Sequence, residues 1–138
     1  MPAYGFGCEI QAADPAQAVA RVTAALQAEG FGVLTQIDVQ ATLQAKLGIA
    51  HRPYLILGAC NPALAHRALQ AEPDIGLLLP CNVVVREAAV GRWAVVFMDP
   101  VAVLRLTDNA EVGRLALEVR ERLQRIGARL AQPAARPV

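Results

Sequence analysis

The stretch LLLPCNVVVREAAVGRWAVVFMD, Leu77–Asp99, decides the fold class. Leu77 to Glu87 and Arg92 to Asp99 are dominated by valine, leucine and aromatic residues and read as two long strands. Only Ala88-Ala89-Val90-Gly91 separates them. A link that short leaves no room for a crossover helix, so the two strands pair antiparallel. Pro80 falls inside the first, which makes its position an edge, a bulge or a strand start.

Upstream, helices and strands alternate with clear punctuation. Tyr4, Phe6, Cys8 and Ile10 alternate weakly and suit a first strand. Asp14-Pro15 combines an N-cap with proline at the first helical position. Val19, Val22 and Leu26 then repeat at helical spacing, and Gly30 stands where a left-handed residue ends the helix. Phe31 to Val39 alternates as a second strand, and Asp38 caps a short helix with Val39, Leu43 and Leu47 on one stripe, closed by Gly48. Pro53 to Cys60 reads as a buried third strand. Asn61-Pro62 repeats the cap-plus-proline start, and Leu64, Ala65, Ala68 and Leu69 form the stripe of a helix ending near Glu72-Pro73.

Downstream, Asp99-Pro100 turns the chain, and Asp108 with Glu111 has capping-box spacing. The last helix turns Val112, Leu115, Val119, Ile126 and Leu130 inward and most of its arginines outward. The expected fold is therefore α+β: a mainly antiparallel sheet with helices packed on one face. Residues 1–131 form one domain in this reading, and 132–138 form a tail that frays. Periodicity leaves the other sheet face open as a cavity, a ligand surface or a subunit interface.

Composition narrows the class of function. The 138 residues are 55% apolar and 18% charged, which describes a packed globular chain and excludes a disordered one. Thirteen Lys and Arg against twelve Asp and Glu leave a net charge of +1, too little for a polyanion-binding footprint, so no nucleic-acid partner is expected. The apolar run Ile75 to Val85 is broken by Gly76, Pro80 and Asn82 and predicts no membrane span. The opening residues reach Glu9 without a basic region or apolar core and predict no secretory leader. Three cysteines without framework spacing suit a reducing compartment, which predicts a cytoplasmic address.

Four segments carry a resemblance. They are Gly30-Phe31-Gly32-Val33-Leu34-Thr35-Gln36-Ile37-Asp38-Val39, Arg52-Pro53-Tyr54, Leu57-Gly58-Ala59-Cys60-Asn61-Pro62 and Gly76-Leu77-Leu78-Leu79-Pro80-Cys81-Asn82-Val83. Together they resemble domain-of-unknown-function family 302. The resemblance implies a small α+β fold similar to the TATA-binding-protein-like group, found in bacteria and archaea and often homodimeric. It implies no assigned activity and no catalytic residues.

Cys60 ends a buried strand just before a helix start, where free backbone N–H groups and the helix dipole favour a thiolate. That suits a nucleophilic, redox or sulfur-carrying thiol; the plainer reading is a small residue packed under a helix end. Cys81 lies in the next strand, and both cysteines precede an asparagine, Asn61 and Asn82. If the two strands are neighbours, Cys60 and Cys81 converge as candidate ligands for a soft metal such as Cu(I), or as a thiol pair for disulfide or sulfur exchange. Independent packing competes with that, and three cysteines make no zinc set.

His66 follows Cys60 by six residues and is the candidate base beside it, against the plainer reading of a surface histidine. Arg52 suits a bidentate clamp on an anionic ligand or an ordinary surface ion pair. No motif names a cofactor, and a haem on a single axial ligand has nothing specific in its favour. The leading reading is a small homodimeric binding or sensing module, with a small molecule, soft metal or sulfur species held near Cys60, Asn61, Cys81, Asn82, Arg52 and His66. The alternatives are a thiol enzyme with Cys60 as nucleophile and Cys81 as its resolving partner, and a structural subunit without chemistry.

Overall fold

The computed structural model describes residues 1–132. Strands β1 (Gly5–Gln11), β2 (Gly32–Asp38), β3 (Tyr54–Cys60), β4 (Cys81–Ala89) and β5 (Arg92–Met98) form one sheet in the order β1-β5-β4-β3-β2. Every neighbouring pair is antiparallel. The β4–β5 hairpin turns through Val90 and Gly91, and Gly91 has the positive φ of 78° that a turn this tight demands.

Helices α1 (Pro15–Ala28), α2 (Val39–Leu47), α3 (Pro62–Ala71), α4 (Pro100–Leu104) and α5 (Ala110–Ala131) connect or follow the strands. Their starts obey the local chemistry. Asp14, Asp38 and Asn61 each accept a backbone N–H three residues on, from Gln17, Ala41 and Leu64. Gly30 and Gly48 take the left-handed φ values of 83° and 65° that end α1 and α2.

Helices α1 and α5 cover one face of the sheet. Beneath them Leu57, Val83, Val85, Trp93, Val95 and Phe97 meet Val22, Leu26, Leu123 and Ile126 in the main core. The Trp93 indole N–H donates to the Ala12 carbonyl at 3.2 Å, so the largest core side chain carries no orphan donor. A second cluster joins α3, α4 and the N-terminal half of α5 through Leu64, Ala68, Leu104, Val112 and Leu115.

Four local expectations fail for identifiable reasons. Leu77 and Leu78 are not strand: Pro73–Leu78 is a 3-10 turn that buries Ile75 and leaves Leu77 88% exposed. Strand β4 starts only at Cys81, after Pro80, which has no N–H to donate. Asp99-Pro100 does not simply turn the chain; Asp99 accepts the Val101 N–H and opens α4. The cap of α5 is Asn109 rather than Asp108, since Asn109 accepts from both Glu111 and Val112. Finally, α2 forms as expected but buries none of Val39, Leu43 and Leu47. Of the tail expected to fray, 133–138 lies outside the described residues.

Candidate functional site

Strands β3 and β4 are neighbours, as the cysteine pairing requires, but their register separates the sulfurs. Ala59 pairs with Cys81, and Cys60 pairs with Gly32 on the other side. Side chains alternate along a strand, so Cys81 shares the helix-covered face with Ala59 while Cys60 points to the opposite face. Cys81 is buried and Cys60 half-buried. Burial, helped by charge on Cys60, pushes the Cys81 thiol up to about 11. Burial also raises Cys60. The α3 N-terminus therefore does not make Cys60 the low-pKa thiolate that its position suggested. Cys8, on the covered face of β1, is likewise raised by burial, with Arg21 opposing.

The other candidates disperse. The Asn61 side-chain oxygen is taken by the Leu64 N–H at 3.2 Å, so this residue is a helix cap. Its amide also lies against Gly30, where a Cβ would come within 2.9 Å of Nδ2. His66 is exposed, two positions past buried Leu64 and thus on the far side of α3 from the core. Arg52 makes a single contact to Glu87 at 3.5 Å, an exposed ion pair rather than a bidentate clamp. Asn82 is exposed and pairs with Gly58 on the open face. No cluster of three or more His, Cys, Asp or Glu fit to hold a metal occurs among the described residues. Nor is any helix among them long and apolar enough to cross a membrane.

What the register does bring together is the helix-free face. Ile37 pairs with Ile56, Ile56 with Val84, Val84 with Val96, and Val96 with Gly7. These five residues form one continuous apolar row across all five strands. A parallel row runs Tyr54–Arg86–Ala94–Glu9, and on the other side Thr35–Gly58–Asn82 and Met98–Gly5 border it. Ile56, Val84 and Val96 are half-buried by their neighbours in the sheet, and Ile37 is 51% exposed. Cys60 stands on this same face beside Gly58, whose missing side chain admits Thr35 and Pro80; a Cβ there would lie 2.8 Å from Pro80.

Sequence inspection missed this row because it needs four pairing registers. Its one sequence signal is that Val83-Val84-Val85 and Ala94-Val95-Val96 show no polar alternation, which marks strands apolar on both faces. Two surface grooves lie elsewhere. One, of about 950 Å³, runs past Gln11, Arg21, Gly91 and Leu130. Another, of about 620 Å³, runs between α1 and β2 along Val19, Thr23 and Gln36. Neither touches Cys60 or Cys81.

Comparison with known proteins places the chain. Its fold is similar to the crystal structure of an uncharacterized conserved DUF302 protein from Bacillus stearothermophilus, at 27% identity and a TM-score of 0.83. The likeness covers 94% of this chain and 99% of the other. No match to a curated protein was found. The family model for domain of unknown function DUF302 matches residues 6–130. With that match spanning almost all of the sequence, the chain belongs to the DUF302 family.

Proposed function

We propose that the protein is a homodimeric binding module and that its working surface is the helix-free face of the sheet. The observation that carries this reading is the row Ile37–Ile56–Val84–Val96, β-branched side chains that lie outside both core clusters of the described residues. A sheet that serves only as a scaffold normally meets solvent with polar residues, and contiguous exposed apolar surface marks an interaction site. The face is open rather than pocketed, so it lacks the walls that enclose a small molecule. A second sheet stacked on it at about 10 Å supplies the missing layer.

Three raised thiols and a scattered Arg52 and His66 favour binding over nucleophilic chemistry at neutral pH. Cys60, at the border of the face, is then a residue beside the interface rather than a reagent. Three unpaired cysteines also suit the cytoplasm.

Native mass spectrometry of the intact chain tests the assembly. We expect a dimer that Val84→Lys converts to monomer while far-UV circular dichroism stays unchanged. Ile37→Lys, at a more exposed position, gives the same result should Val84→Lys fail to fold. A monomeric wild-type chain, or a dimer indifferent to charge at both positions, overturns the reading.

A further inference from the structure

We draw no further inference here: the strongest candidate, the apolar groove of about 620 Å³ between α1 and β2, is an open surface, and nothing in the structure shows what covers it.

Discussion

Val83, Val84 and Val85 are three identical residues in succession, and the two outer ones are wholly buried while the middle one is half-open. Val95 and Val96 repeat the contrast on β5. The difference is only which side of the pleat each faces. On one side α1 and α5 complete a core; on the other the same kind of side chain lies outside both core clusters of the described residues. Covered-face residues should therefore govern whether the protomer folds, and open-face residues whether protomers meet. Phe97, wholly buried and stacked on Phe6 at 5.8 Å between ring centroids, makes the strongest test of the first half. Phe97→Ala should destabilise the protomer by about 3–5 kcal/mol in urea unfolding. Val96→Ala, one residue away, should cost under about 1 kcal/mol in the monomeric Val84→Lys background, where no partner packs on it. Equal losses at both positions would erase the distinction between the faces.

The two neighbouring cysteines sharpen the comparison by titration. Cys81, on the covered side, holds its proton to about 11, whereas an unfolded chain releases it near the ordinary value of 9.0. A folded pKa raised above the unfolded one gives stability that is complete below pH 9 and lost as pH rises towards 11. Wild-type protein should lose on the order of 2–3 kcal/mol across that window relative to Cys81→Ala, whose profile lacks this contribution. Urea midpoints at pH 7, 9 and 10.5 for the pair measure it, and parallel profiles would refute it. Maleimide labelling gives the matching readout: Cys81 should react only on unfolding. Cys60, half-buried and also raised, should react natively yet more slowly than a free thiol. Faster reaction at Cys60 would revive a nucleophilic role.

Much of the protomer was legible residue by residue. Asp14-Pro15, Asp38, Asn61-Pro62, Gly30 and Gly48 act within three or four positions of themselves, and each does in the structure what its local chemistry dictates. Legibility ended where a partner far along the chain decides. Leu77-Leu78-Leu79 is as apolar as a strand, yet Pro73–Leu78 coils and packs Ile75 and Leu78 into the second cluster. The stripe on α2 is real in sequence but no other element of the fold buries it. At the site, adjacency of the third and fourth strands was the right condition for Cys60 and Cys81 to meet. The pairing Ala59–Cys81 rather than Cys60–Cys81 sends the sulfurs to opposite faces. One residue of register, invisible in sequence, puts the two thiols on opposite faces of the sheet, and the apolar row was hidden for the same reason.

The smallest lever on the covered side is the start of α5. In the sequence, capping-box spacing to Glu111 points to Asp108 as the cap. In the fold, Asn109 accepts the Glu111 and Val112 N–H groups at 3.0 and 3.2 Å. Its amide donates to the Ala71 carbonyl at 2.8 Å, tying the start of α5 to the end of α3 over the second cluster. A side chain with three partners outranks one favoured by spacing alone, because removing it strands backbone groups on both helices. Asn109→Ala should lower protomer stability by about 1–2 kcal/mol, and Asp108→Ala should leave it within about 0.5 kcal/mol. Because α5 lies on the covered side, neither substitution should move the dimer dissociation constant once the folded fraction is accounted for. A change in that constant from Asn109→Ala would mean that the helix layer and the open face are coupled through the sheet, and that the two sides of Val84 are not independent.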